Sequence, residues 1–181
     1  MKVISKIQLS VGVGLILALL VSLPGLLSAN DNHVPRKAAV NGVGGWNVVP
    51  PNFTPQFLFA GTDGDTHIRH LPLVGDLSLT GDGVTLNGKL TVDLNGELDS
   101  TFSGPLWGEM TMTTKVDGVK TLIFAGHATA DTVGLVSIGK MKLHGLGPYE
   151  GAALDLTFEE IGPGNTDTYN FKGVLIQVPR R

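Results

Sequence analysis

A long, unbroken alternation of apolar and polar residues constrains this chain more than any other feature. From Val84 to Phe102 the even positions are apolar or small and the odd positions are polar, without a slip. Alternation with period two is typical of a strand that has one buried face and one solvated face. A straight segment of this length would span ~60 Å, too far for a chain of 181 residues. We therefore expect it to bend or break at Gly88 or Gly96 while keeping its faces, as strands of a curled sheet do.

A β-hairpin is predicted around Asp117-Gly118. Two strand-like segments flank this dipeptide, and Asp-Gly suits the positive φ angles of a type I′ turn. Pairing outward from the turn keeps the apolar faces together. The predicted partners are Val116 with Val119, Thr114 with Thr121, Met112 with Ile123, and Met110 with Ala125.

The remaining segments complete an all-β prediction: an antiparallel β-barrel or sandwich of about eight strands, joined by Gly-rich turns. No segment after the N-terminal region shows the apolar stripe of an amphipathic helix. A short β-solenoid is the alternative, because Leu86–Leu90 and Leu94–Leu98 repeat a pattern at a period of eight residues. Further strands are predicted around Phe57–Ala60, His67–Leu73, Asp76–Thr80, Leu135–Lys142, Ala152–Ile161 and Thr168–Val178.

The N-terminal residues predict a secretory signal peptide over 1–29. Lys2 and Lys6 precede an apolar run, which ends at Pro24-Gly25 and a small-residue exit at Ser28-Ala29. The alternative is an uncleaved membrane anchor, although spanning requires about 20 apolar residues. Residues 30–56 are predicted to form an irregular lead-in rich in Pro and Gly, from which Trp46 docks on the body. Residues 57–181 then form one β-barrel-like domain.

Composition narrows the partners and the compartment. The chain has no cysteine, which excludes disulfides and thiol catalysis. An exported protein of this size without disulfides favours a bacterial source and a secreted or periplasmic location. After cleavage, eleven Lys and Arg face sixteen Asp and Glu, a net charge of −5. Nucleic acid and anionic lipid are therefore poor partners, and no stable membrane span is expected after signal cleavage.

One segment carries a family resemblance. The stretch Gly139–Ala153 contains Gly145-Leu-Gly-Pro-Tyr-Glu-Gly-Ala152, which resembles the glycine-rich turn between strands of allene oxide cyclase and dirigent-type β-barrels. This resemblance implies an eight-stranded antiparallel barrel with a small apolar lumen. It carries no function over, because neither the cyclase's glutamate and asparagine-bound water site nor the dirigent aspartate pair aligns with residues here.

Two groups of polar residues are candidates for metal binding or acid–base catalysis. The segment Asp63–His70 offers carboxylate and imidazole ligands for Ca²⁺ or Zn²⁺ if Asp65, His67 and Arg69 share a face with His70 opposite. It matches no metal-binding template, and a polar Asp-Gly turn entering a strand explains it better. Acid–base catalysis would require two converging ionisable groups from a second set. That set is His127, His144, Glu109, Glu150 and Asp155.

These observations favour a secreted, non-catalytic β-barrel that binds a small apolar ligand or a protein partner. The alternatives are a structural envelope or matrix protein that acts by assembly, and a cyclase- or isomerase-like barrel enzyme. No catalytic residue, metal or cofactor is assigned. Aromatic and imidazole side chains suit a site with one apolar and one wet side. The predicted ligand-binding residues are Trp107, His127, His144 and Tyr149.

Overall fold

The computed structural model describes residues 35–48, 57–134, 136–161 and 168–177. The predicted signal peptide and its cleavage site lie outside these residues. Two single 3-10 turns, Thr62–Gly64 and Gly147–Tyr149, accompany the strands. The strands are β1 Arg36–Val48, β2 Leu58–Ala60, β3 Thr66–Gly81, β4 Val84–Leu98, β5 Gly104–Val116, β6 Val119–Val133, β7 Val136–Gly145, β8 Ala152–Glu160 and β9 Thr168–Gln177.

Eight of these strands close into an antiparallel barrel. Strands β3 to β9 follow one another in chain order, each bonded to the next. Strand β1 closes the circle, because it pairs with β9 on one side and with β3 on the other. The short β2 pairs with the start of β3, beyond the part of β3 that β1 covers. The all-β prediction is confirmed, and the fold is a barrel rather than a sandwich or a β-solenoid.

Strand β1 corrects part of the prediction of an irregular lead-in over 30–56: residues 36–48 form a strand, whereas 30–34 and 49–56 lie outside the described residues. Its inward positions include Gly42 and Gly44, so the sequence there lacks the apolar alternation that marks a strand. The glycines allow a close backbone approach at the seam between β1 and β3. A Cβ atom at Gly42 would overlap the carbonyl of Ser78, and one at Gly75 would overlap the carbonyl of Gly45. The predicted docking of Trp46 holds, since its ring contacts the aromatic core.

Strand β4 keeps the predicted faces but neither breaks nor ends at a glycine. It runs unbroken through Gly88 and Gly96. The irregularity lies in its neighbour β3, where the pairing shifts between Ile68 and Leu71. A β-bulge of this kind bends the strand and increases its twist. The two segments predicted at His67–Leu73 and Asp76–Thr80 are therefore one bulged strand.

The hairpin between β5 and β6 turns at Asp117-Gly118 as predicted, with φ angles of 50° and 80°. The predicted pairs Val116 with Val119 and Thr114 with Thr121 are confirmed. The two outer pairs are wrong by one residue. A second bulge makes Phe124 the partner of Met112 and Gly126 the partner of Met110. This bulge places Ile123 and Phe124, adjacent in sequence, both in fully buried positions.

The barrel interior is the hydrophobic core. Inward side chains of all eight barrel strands contribute to it. The end of the barrel that holds the Asp82-Gly83 and Asp117-Gly118 turns is filled. Leu79, Met112 and Phe124 there have no exposed surface. The described residues contain no helix that is long and apolar enough to cross a membrane.

Candidate functional site

An apolar cavity of about 180 Å³ lies inside the barrel, toward the end opposite the filled one. We call this end the mouth: β1, β4, β6 and β8 finish there, and β3, β5, β7 and β9 begin there. Inward-facing Trp46, Leu94, Leu106 and Ala130 line the cavity yet stay partly exposed. The cavity is therefore partly open to solvent. An apolar cavity of about 150 Å³ is large enough to hold benzene.

Aromatic side chains form one wall of the cavity. The Trp46 ring lies 4.5 Å from the Tyr169 ring and 5.4 Å from the Phe158 ring, measured between centroids. The Trp46–Phe158 contact is edge-to-face, an arrangement that aromatic quadrupoles favour. Phe171 packs behind this group, 5.9 Å from Phe158. Aliphatic side chains of β3, β4 and β5 form the opposite wall, among them Leu73 and Val92.

A short series of hydrogen-bonded polar residues borders the apolar lining at the mouth. Ser137 lines the cavity, and its hydroxyl lies 2.9 Å from the hydroxyl of Thr132. Both side chains are buried. The backbone N–H of Ser137 donates to Oε2 of Glu160 at 3.0 Å. Glu160 lies across from Tyr169 in the β8–β9 pairing. An apolar chamber with a few polar groups on one side is the usual make-up of a small-molecule site.

Trp107, a predicted ligand-binding residue, borders the cavity, but its ring belongs to the outer surface. The side chain is 39 % exposed, and the guanidinium of Arg69 lies 5.9 Å from its ring centroid. Arg69 also donates to Oε1 of Glu97 at 2.8 Å and to the carbonyl oxygen of Gly96 at 2.9 Å. Trp107 is therefore held in an outer-surface contact with Arg69.

The segment Asp63–His70 forms a polar turn followed by the start of β3, as the simpler interpretation predicted. His67 and Arg69 both approach Glu97 on the outer face. His70 does not face away from them, because the bulge turns it outward with a φ of 54°. Its Nδ1 lies 3.0 Å from Oδ2 of Asp93. Within the described ranges, no three His, Asp or Glu side chains are grouped to hold a metal ion.

The remaining candidate acids and bases lie outside the barrel. His127 and His144 are on neighbouring strands and are both exposed, with Lys142 opposite His127. Glu109 lies on the other side of His127, and Asp155 lies opposite Lys142. Glu150 is exposed in the turn at the filled end. None of the five lines the cavity, so they do not form the convergent pocket that the enzyme hypothesis requires.

Tyr149 lies at the filled end rather than at the cavity. It closes the 3-10 turn after β7, and its ring packs against Phe124 with centroids 5.2 Å apart. Partial burial raises the pKa of the Tyr149 phenol above its usual value by disfavouring the phenolate. Its surroundings indicate that it caps the core.

The sequence prediction of ligand-binding residues missed Trp46, Phe158 and Tyr169. A signal for Phe158 was available, because residues 152–160 alternate with Phe158 on the apolar face. Trp46 lay in the segment predicted to be irregular. Comparisons with family models, with curated proteins and with solved structures found no match for this chain. The functional proposal therefore depends on the geometry of the cavity and its mouth.

Proposed function

We propose that this protein is a binding barrel that holds a small apolar molecule in the cavity at its mouth, outside the cytoplasm and after removal of the predicted signal peptide. The supporting observation is the contrast between the two ends of one barrel. At the filled end, inward side chains such as Leu79, Met112 and Phe124 have no exposed surface. At the mouth, Trp46, Phe158 and Tyr169 form part of the wall of a cavity of about 180 Å³ that no side chain of the described residues fills.

The cavity sets the size and the affinity of the ligand. A volume slightly above that of a benzene-binding cavity suits one aromatic ring with a short substituent. Such a ligand has few atoms with which to gain binding energy. We expect a Kd on the order of 0.1–1 mM, which corresponds to about 4–5.5 kcal/mol. A longer molecule would have to extend through the mouth toward solvent.

The two tryptophans of the chain provide a direct test. Trp107→Phe leaves Trp46, inside the cavity, as the only tryptophan. Trp46→Phe leaves Trp107, on the outer surface. The probe is 4-bromobenzyl alcohol, whose bromine quenches indole fluorescence on contact. We expect saturable quenching of Trp107→Phe in the millimolar range or below.

The Trp46→Phe variant is the matched control. Its fluorescence should decrease only linearly with probe concentration, as collisional quenching at an exposed ring does. Saturable quenching of Trp46→Phe together with purely linear quenching of Trp107→Phe would place binding outside the cavity. Purely linear quenching of both, with the folded state verified by circular dichroism, would refute the proposed function.

A further inference from the structure

Charge is distributed unevenly along the barrel. The mouth end is defined here as the described residues that lie in its turns or within three positions of a strand end there. Counting Lys and Arg as basic, they include one basic side chain, Arg69, and seven acidic ones. Arg69 is already paired with Glu97. The acidic residues are Asp63, Asp65, Glu97, Asp99, Asp131, Glu159 and Glu160.

The rest of the described barrel lacks this excess. By the same criterion, the filled end has five basic and four acidic side chains. The middle of the barrel has three of each sign, including the Lys89–Asp76 ion pair at 2.9 Å. The negative potential is therefore concentrated where the cavity opens. A low-dielectric recess surrounded by charge of one sign concentrates counter-ions and charged ligands of the opposite sign.

One of these acids is structurally connected to the cavity. Glu160 is half-buried and continues the series of even-numbered residues of β8 that face inward. Its carboxylate accepts a hydrogen bond from the backbone N–H of Ser137, which lines the cavity. A carboxylate has about four acceptor sites, and the Ser137 N–H uses one of them. The Glu160 carboxylate therefore has acceptor sites left for a cationic hydrogen-bond donor that binds at the mouth. The aromatic wall of Trp46 and Tyr169 adds ring faces that attract cations.

From these observations we infer the ligand's chemical class: a small apolar molecule that carries one positive charge. This inference rests on the proposed function and deepens it. The apolar body occupies the space beside Trp46 and Phe158, and the ammonium group lies at the mouth near Glu160. An anionic ligand of the same shape is repelled by the same field. A neutral one keeps the apolar contacts and loses the electrostatic attraction.

Three probes of one shape separate these cases. 4-Bromobenzylamine, 4-bromobenzyl alcohol and 4-bromobenzoate differ mainly in charge, and each is titrated against the Trp107→Phe protein at pH 7 and low salt. We expect the amine to bind about tenfold more tightly than the alcohol, and the benzoate about tenfold more weakly. The amine preference should shrink at 0.5 M salt, where charges are screened within a few ångströms.

Charge variants localise the effect. In the Trp107→Phe background, Glu160→Gln should lower the amine-to-alcohol preference at least ~3-fold, and Asp131→Asn should lower it less. Asp76→Asn is the control, because it removes one negative charge from the middle of the barrel and should leave the preference unchanged. Equal lowering by all three variants would overturn the assignment to the mouth.

The outcomes distinguish the two proposals. Saturable binding of the alcohol with no preference for the amine refutes only the positive charge of the ligand. The absence of saturable binding for all three probes refutes the binding function itself. Tighter binding of the benzoate than of the amine would show that the field at the mouth does not control ligand choice.

Discussion

A pair of identical substitutions tests whether the cavity exists. Ala128 and Ala152 are both 8 % exposed, and both point into the barrel. Ala128 lines the cavity. Ala152 begins β8 at the filled end. A Cβ atom added to Gly145 would lie only 3.1 Å from the Cβ of Ala152, so this region is tightly packed. Replacing each alanine by leucine adds the same three carbon atoms in opposite surroundings.

The expected changes in the free energy of unfolding have opposite signs. Three carbon atoms occupy roughly 90 Å³ if each takes about the volume of a water molecule, and the cavity provides about 180 Å³. Burying them contributes about 2.4 kcal/mol at 0.8 kcal/mol per group, reduced by roughly 0.5–1 kcal/mol for the lost leucine rotamers. Ala128→Leu should therefore stabilise the protein by about 1.5–2 kcal/mol. Ala152→Leu overpacks a filled region and should destabilise it by about 1–3 kcal/mol.

Urea unfolding followed by circular dichroism measures both changes, provided that the slope with denaturant stays constant. For a domain of this size each kcal/mol also shifts the Tm by roughly 2–4 °C. Ala128→Leu should in addition abolish saturable quenching by 4-bromobenzyl alcohol. If Ala128→Leu is destabilised as much as Ala152→Leu, the interior at the mouth is as full as the rest and the cavity argument is wrong.

Three further predictions concern the closing seam, the Asp117-Gly118 turn at the filled end and the Asp99 turn at the mouth. Gly75→Ala should destabilise the barrel by about 1–3 kcal/mol, because its methyl group would overlap the carbonyl of Gly45. Gly118→Ala, at a turn position with nothing within 4 Å, should cost only the backbone strain of about 1 kcal/mol in the same unfolding assay. The pKa of Asp99 is lowered from 3.8, chiefly because the Thr101 hydroxyl donates to its carboxylate, with further backbone N–H donors. The ionised Asp99 carboxylate therefore stabilises the folded state fully above pH 3.8, and this stabilisation is lost as the pH falls through the lower folded-state pKa. An NMR titration measures the pKa of Asp99. An ordinary or raised value would contradict the turn geometry.

Some of this fold could be derived from local sequence. The faces of β4 were predictable because side chains alternate strictly along a strand, so parity alone assigns Leu90 inward and Thr91 outward. The Asp117-Gly118 turn was predictable because few dipeptides accept two positive φ angles. Absence of cysteine and the excess of acids were compositional facts. Each of these features depends on residues that are close in sequence.

The sequence by itself therefore determined strand faces, one turn and the sign of the net charge; the tertiary structure decided closure, register and the site. Strand β1 escaped prediction because Gly42 and Gly44 fit a seam whose other half is more than thirty residues away in β3. The bulge at Ile123 shifted the hairpin register because core packing, not the turn, selects which residues point inward. The cavity arises where inward side chains from every strand of the barrel fail to fill a shared volume. That volume depends on all of them at once, so no local pattern could place Trp46 beside Phe158 and Tyr169.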